Sequence, residues 1–158
     1  MMEKNDESNM KLAIELSIKN IDENGGPFGA VIVKNGQIIA RGVNRVTSNN
    51  DPTAHAEVNA IREASKKLGT FDLSGCTIYS SCEPCPMCLG AIYWAHIDKL
   101  YYANTKQDAK AIGFDDSFIY DELDLPKEKR KIPTIQLLHD EALEAFNKWR
   151  LKDNKIEY

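Results

Sequence analysis

The sequence predicts an α/β fold, a three-layer α/β/α arrangement around a mixed five-stranded sheet. Three observations support this prediction: apolar residues recur at helical spacing in several segments, five short runs favour β-structure, and helices alternate with strands after an opening hairpin. With 158 residues the chain has the length of one domain, so we expect a single domain over residues 1–158.

The amino-terminal half contains a helix, a hairpin and a second helix. Residues 8–23 have apolar side chains at three- and four-residue steps, and Gly25-Gly26-Pro27 ends this helix. The β-rich runs 30–33 and 37–42 flank Asn35-Gly36, which is a strong hairpin signal. A helix follows from about Asp51 to Leu68, where Gly69 stops it.

The carboxyl-terminal half continues the alternation. The predicted elements are a strand over residues 76–80, a helix over 86–95, strands over 99–103 and 132–138, and a helix over 141–151. Leu143, Phe146 and Trp149 on the last helix predict that it docks on the protein body.

Composition excludes several classes of protein. The apolar runs are far shorter than the ~20 residues of a membrane span, and the polar residues 1–9 do not form a secretory signal. A formal charge of −4, from 20 basic and 24 acidic residues, argues against a protein that grips nucleic acid through phosphates. All four cysteines lie between Cys76 and Cys88, which indicates a metal or redox site in a reducing cytoplasm.

Two short motifs at predicted helix starts favour a zinc site. His55 precedes Glu57 by two residues, and Cys85 and Cys88 are three apart. Three such ligands leave one zinc position for a water, whose pKa falls towards ~7, and Glu57 is placed to move protons. Because two residues on a regular helix are rotated by about 200°, this works only if His55 lies at the first turn.

Other interpretations of the cysteines stay open. A lone C-x-x-C is also found in structural zinc and redox sites. Cys82 forms a second C-x-x-C with Cys85, so His55 and three cysteines also fit a closed, non-catalytic zinc site. Cys76 is predicted to be a buried strand residue.

H-x-E followed by P-C-x-x-C is the signature of zinc nucleobase deaminases. Together with the stretches 25–33, 48–57 and 82–95, it resembles the cytidine-deaminase-like superfamily. Residues 113–120, G-F-D-D-S-F-I-Y, and the terminal Tyr158 closely resemble the small bacterial guanine deaminases.

The resemblance implies a cytidine-deaminase-like fold and the hydrolysis of guanine to xanthine and ammonia, a step of purine breakdown. It implies one zinc per chain on His55, Cys85 and Cys88, with Glu57 as proton carrier and Asp116, or less favourably Asp115, as second proton donor. The implied substrate contacts are Phe28, Asn44, Ala56 through its N–H, Trp94, Asp115 and Tyr158. It also implies a homodimer in which the tail 152–158 covers an active site, its own or the partner's.

Plainer interpretations accompany these roles. Asp115 and Asp116 also fit a turn with a helix cap, Phe28 fits a core position, and the tail fits a frayed terminus. The basic run 127–131 is thin support for the alternative of a tRNA adenosine deaminase; cytosine deamination and a non-catalytic zinc module are further alternatives.

Overall fold

The computed structural model describes residues 5–158. Its helices are α1 (Asp6–Asp22), α2 (Val46–Asn49), α3 (Ala56–Leu68), α4 (Pro86–Trp94), α5 (Lys106–Ala111), α6 (Ser117–Asp124) and α7 (His139–Arg150), with a 3-10 helix at Lys127–Lys129. Its strands are β1 (Gly29–Lys34), β2 (Gln37–Val43), β3 (Cys76–Cys82) and β4 (Lys99–Asn104). None of the helices described for residues 5–158 is long and apolar enough to cross a membrane.

The strands form one mixed sheet in the order β2-β1-β3-β4. β1 is antiparallel to both β2 and β3, whereas β3 and β4 run parallel. The predicted hairpin is confirmed: Asn35 and Gly36 have φ angles of 50° and 73°, the left-handed values that a tight two-residue turn requires.

Helices pack on both faces of the sheet, which confirms the three-layer arrangement. Alternate residues of β1 point to opposite faces, so Ala30 and Ile32 join the core beneath α3 and α4, while Val31 and Val33 pack beneath α1. The small residues Ala56, Ala60 and Ala64 form the buried face of α3 and let that helix approach the sheet closely.

The sheet has four strands, so the prediction of a fifth strand over residues 132–138 is wrong. This segment is irregular, and its apolar residues Ile132, Ile135 and Leu137 are exposed in the chain. Pro133 removes a backbone donor, and no strand within residues 5–158 pairs with the segment. A β-rich composition becomes a strand only where a partner satisfies its backbone.

The chain divides into two compact units. The first ends at Ser117 and contains the whole sheet with α1 to α5; the second, Phe118–Tyr158, contains the rest of α6, the 3-10 helix and α7. Within the second unit Glu122 accepts hydrogen bonds at its carbonyl from Arg130 Nε (3.1 Å) and at its carboxylate from Lys131 N (2.7 Å). That residues 1–158 act as one domain stays a prediction.

Candidate metal centre and active site

Two helix N-termini of the first unit carry the predicted metal ligands. His55 is the N-cap of α3 and Cys85 the N-cap of α4, both with extended backbone, and Pro86 opens α4. The requirement that His55 lie at the first turn is therefore confirmed. The positive ends of both helix dipoles point to this place, which favours thiolates there.

Gly42 on β2 determines how closely α3 approaches. A Cβ atom at Gly42 would lie 2.1 Å from the carbonyl oxygen of Ala56 and 2.5 Å from the nitrogen of Ala60. Only a glycine leaves room for the backbone of the first turn of α3 at this distance. Gly42 therefore helps to set the position of His55 and Glu57.

The three predicted ligands form one compact cluster. The Nδ1 atom of His55 lies 3.5 Å from Cys85 Sγ and 3.4 Å from Cys88 Sγ, and the possible ligand atoms all lie within 4.8 Å of one another. Hydrogen bonds from Cys88 and then His55 lower the pKa of Cys85 to about 4, whereas the hydrogen bond with Cys85 and burial raise the pKa of Cys88. Of these two coupled thiols, Cys85 is therefore the one that favours the thiolate form. Two thiols and one imidazole are donors that zinc prefers, so the residues fit this metal.

Cys82 lies outside this cluster. Its thiol contacts the carbonyl oxygen of Thr105 at 3.7 Å, and burial raises its pKa to about 11. The metal cluster found among residues 5–158 contains His55, Cys85 and Cys88 and leaves out Cys82, an arrangement that favours the open site over the closed one. Cys76 is fully buried in β3, as predicted.

Glu57 is only 6% exposed and lies in the first turn of α3. Ser80 on β3 donates a hydrogen bond of 2.9 Å to its Oε1 atom, which holds the carboxylate in place. Burial raises the pKa of Glu57 above the usual range of a glutamate. A raised pKa makes the carboxylate a stronger base than an exposed glutamate, which suits a group that must accept and return a proton.

Asp115 and Asp116 have different surroundings. The Asp115 carboxylate accepts hydrogen bonds from the N–H (3.0 Å) and the hydroxyl of Ser117 and forms an ion pair with Lys110 at 3.2 Å. By contrast, the buried Oδ1 atom of Asp116 has no hydrogen-bond partner among residues 5–158. Burial raises the pKa of Asp116, and the charges of Cys85, Glu83 and Asp115 add to this effect.

Phe28 lies just before β1 and is partly buried against the core. Its ring meets that of Phe114 edge to face, with centroids 5.0 Å apart. Phe28 therefore fits both interpretations of the sequence. It packs as a core residue, and its ring has a fixed orientation, as a stacking surface for a base requires.

Asn44 follows β2 and is buried. Its Oδ1 atom accepts a hydrogen bond from Val46 N at 3.2 Å, which leaves the side-chain NH2 group to donate. Asn20 links the segment before β1 to the segment after β2, because its Nδ2 atom donates to the carbonyl oxygens of Gly26 (2.8 Å) and Asn44 (2.9 Å).

Three further substrate contacts were predicted: Ala56, Trp94 and Tyr158. Ala56 is buried as the first residue of α3, so its N–H lacks an acceptor within the helix. Trp94 is the last residue of α4 and is 67% exposed in the chain. Tyr158 belongs to the second unit and is 73% exposed. The substrate roles of these three residues stay predictions.

Sequence reasoning missed Ser80, Phe114 and Asn20. Each contacts a predicted site residue that is distant in the sequence, and no motif marks Ser80 or Asn20. Phe114 lies inside the stretch 113–120 that carries the resemblance, which is the one signal that points to it.

Known proteins share these features. Residues 3–104 match the family described as the cytidine and deoxycytidylate deaminase zinc-binding region. The chain is 56% identical over 155 residues to a guanine deaminase of Bacillus subtilis (strain 168), covering 98% of this chain and 99% of the relative. An X-ray structure of guanine deaminase from Bacillus subtilis superposes with a TM-score of 0.95 at 55% identity, with 98% and 99% of the two chains covered.

Similarity to tRNA deaminases is more limited. The tRNA-specific adenosine deaminase of Bacillus subtilis is 44% identical over 97 residues, which cover 61% of this chain and 60% of that protein. Similarity to the Bacillus subtilis guanine deaminase thus extends over nearly the whole chain, whereas this tRNA deaminase matches about three fifths of it.

Proposed function

The chain belongs to the cytidine and deoxycytidylate deaminase family, and we propose that it is a zinc hydrolase that converts guanine to xanthine and ammonia. The full-length similarity to guanine deaminase carries this conclusion. It confirms the resemblance predicted from the sequence motifs and the cytidine-deaminase-like fold.

His55, Cys85 and Cys88 are the residues that hold the metal in this proposal. Zinc, when bound, supplies an activated water as the nucleophile at neutral pH. In the reaction the water oxygen bonds to C2 of guanine, the bond from C2 to the exocyclic nitrogen breaks, and C2 becomes a carbonyl carbon.

Glu57 carries the proton that the attacking water loses. Its carboxylate, held by Ser80, accepts this proton and delivers it to a ring nitrogen of the base. Burial favours this role because it raises the pKa of Glu57 and so strengthens the carboxylate as a proton acceptor.

The exocyclic nitrogen leaves as ammonia and therefore needs a second proton. The hydroxyl on C2 gives its remaining proton to the Glu57 carboxylate as the carbonyl forms, and the group that protonates the leaving nitrogen regains its proton from solvent, so the water supplies both protons overall. Asp116 supports this step because its buried oxygen is not occupied by a partner within residues 5–158, whereas Asp115 is bound to Lys110 and Ser117. We therefore assign the second proton donor to Asp116, with Asp115 as the residue that holds the turn.

Phe28, Asn44 and Ala56 provide the surfaces that a planar purine requires. The ring of Phe28 offers a stacking face, the NH2 group of Asn44 donates to an acceptor on the base edge, and the N–H of Ala56 donates from the helix start. Trp94 is included as a pocket residue on the sequence prediction alone.

A direct assay tests the function. We expect the purified zinc protein to release xanthine and ammonia from guanine and to leave a tRNA anticodon stem-loop unchanged. Glu57→Gln is the matched control: the amide keeps the shape but cannot carry protons, so we expect full zinc content and a rate about 10²–10⁴-fold lower. Inosine formed in the stem-loop without turnover of guanine would favour the tRNA alternative.

We further propose that the enzyme is a cytoplasmic homodimer. Apolar side chains of the second unit stay exposed in the single chain, among them Ile135 at 85% and Phe146 at 75%, and such surfaces are typical of interfaces. The four free cysteines fit a reducing compartment. Light scattering should give twice the 17.8 kDa of the chain, and a value of one chain mass would exclude the dimer.

A further inference from the structure

Glu83 lies between Cys82 and Pro84 and transfers no proton in the proposed chemistry, although its charge is one of those that raise the pKa of Asp116. Its N–H donates to the carbonyl oxygen of Asn104 at 2.8 Å, and its Oε2 atom accepts from the N–H of Lys106 at 3.0 Å. Glu83 thus contacts the chain on both sides of Thr105, where β4 ends and α5 begins.

The start of α5 has a separate cap of its own. Thr105 N and Oγ1 both donate to Asp108 Oδ2 at 2.8 Å, and Thr105 Oγ1 accepts from Asp108 N. This capping box forms the first turn without help from Glu83. The Glu83 carboxylate therefore does something different: it fixes the helix start to the loop that carries Cys85.

α5 leads directly to the predicted proton donor. Ala109 near the end of this six-residue helix is buried, and its carbonyl oxygen accepts from Phe114 N at 2.9 Å. Lys110 on the same helix pairs with Asp115 at 3.2 Å. A displacement of the helix start is therefore transmitted to Phe114 and to the turn that holds Asp116.

We propose that Glu83 is a positioning residue for deamination, whose carboxylate ties α5 to the zinc-ligand loop and so holds Asp116 in register with the metal centre. This inference rests on the proposed function. Its physical basis is that a group that must protonate a leaving nitrogen works only within hydrogen-bond reach, and a misplacement of about 1 Å can cost as much as 10²-fold in rate.

The test removes the hydrogen bond between Lys106 N and Glu83 Oε2, first at the acceptor and then at the donor. Glu83→Ala deletes the acceptor, whereas Glu83→Gln keeps an oxygen in its place. Lys106→Pro deletes the donor N–H, and Lys106→Ala keeps the N–H while removing the side chain. Proline suits this site because Lys106 is the first residue of α5 and Thr105 has the extended backbone (φ −88°, ψ 166°) that a following proline requires.

We expect Glu83→Ala and Lys106→Pro each to lower kcat for guanine about tenfold, with KM changed less than about threefold and one zinc retained per chain. The double variant should lose no more than either single variant, because both remove the same contact. Glu83→Gln and Lys106→Ala should keep kcat within about twofold of the wild type. The Lys106 amide should exchange its proton faster in Glu83→Ala than in Glu83→Gln.

Unchanged kcat in a folded, zinc-loaded Glu83→Ala protein would overturn the proposal, as would additive losses in the double variant. Loss of zinc in Glu83→Ala would also overturn it, because Glu83 would then support the metal ligands. If Glu83→Ala does not fold, Lys106→Pro alone decides the outcome. The amide exchange tests the tie even if the wild type does not act on guanine, so the two proposals fail separately.

Discussion

Cys82 and Cys85 are three residues apart, yet the fold gives them opposite surroundings. Cys82 ends β3, where burial raises the pKa of its thiol to about 11, and Cys85 caps α4, where hydrogen bonds lower its pKa to about 4. The geometry separates them as ligands, because Cys85 Sγ lies 3.5 Å from His55 Nδ1 within the metal cluster and Cys82 lies outside that cluster. The C-x-x-C-x-x-C run alone does not distinguish them.

Two serine substitutions test this difference. We expect Cys82→Ser to keep one zinc per chain and most guanine turnover, and Cys85→Ser to lose both, because the hydroxyl of serine is a poor zinc ligand. Elemental analysis and activity measured on the same preparations provide the comparison. Loss of metal in Cys82→Ser would restore the closed four-ligand site.

The two adjacent aspartates differ in the same way. Asp116→Asn replaces the buried oxygen that has no partner within residues 5–158, so we expect kcat to fall about 10²-fold. Asp115→Asn keeps an acceptor for Ser117 and loses a largely exposed ion pair with Lys110, so we expect a change below about threefold. Steady-state kinetics with guanine at one pH measure both values, and the reverse order of effects would move the proton donor to Asp115.

The sequence alone predicts the residues whose chemical roles depend on short motifs. His55, Glu57, Cys85 and Cys88 are found in this way because zinc and proton transfer require particular side chains at fixed spacing. Ser80 cannot be found in this way, because its role depends on a hydrogen bond to Glu57, which lies 23 positions away in the sequence. Such contacts depend on the packing of the sheet and leave no local pattern.

Among the elements, α3 is the one whose placement matters most for the site. It carries Glu57 in its first turn, its N-cap is His55, and its backbone rests directly on Gly42 of β2. The position of the metal cluster therefore depends on a glycine that contacts neither metal nor substrate.

Gly42→Ala tests this dependence. The added methyl group would meet Ala56 O and Ala60 N, so we expect a loss of about 1–3 kcal/mol in the free energy of unfolding and lower zinc occupancy. Gly90→Ala within α4 is the control, because apart from its chain neighbours and the backbone of its own helix a Cβ there meets no atom of residues 5–158 within 4 Å. It should be neutral or stabilising by up to about 1 kcal/mol. Thermal unfolding of both variants measures the two effects. Equal losses of stability in Gly42→Ala and Gly90→Ala would contradict a special role for Gly42.

Element prediction succeeded where a local signal agreed with the tertiary context. Asn35-Gly36 forms the hairpin turn, and Gly69 ends α3 with a φ of 67°. The short helices α2, α5 and α6 were not predicted, because four to eight residues are too few to display an apolar period. Residues 132–138 show the opposite case: a strand pattern that finds no pairing partner in the described chain.

At the scale of the whole molecule, the second unit departs most from expectation. The predicted last helix is present as α7, and none of its residues is buried. That it docks on the rest of the protein stays a prediction. Leu143 is 39% exposed, Phe146 is 75% exposed and Trp149 is 43% exposed. A surface of this kind is consistent with the proposed homodimer, in which a second copy covers apolar residues.

We expect the last residues of this unit to affect the rate of guanine turnover and not the stability of the protein. Terminal residues are ordinarily dispensable, and residues 152–158 are not part of any helix or strand, so deleting 156–158 should leave the unfolding temperature and zinc content unchanged. If the tail covers an active site, as the resemblance of the sequence to guanine deaminases implies, guanine turnover should fall about tenfold, equivalent to about 1.4 kcal/mol. Closure acts on the rate because it excludes water and orients the base.

Two substitutions separate the ring of Tyr158 from its hydroxyl. Tyr158→Ala should reproduce the deletion, and Tyr158→Phe should retain most of the turnover if the ring covers the base. All three variants need the same mass by light scattering as the wild type, so that a lost dimer is not mistaken for a lost contact. Wild-type kinetics in the deletion variant would return residues 156–158 to the frayed terminus that their position in the chain suggests.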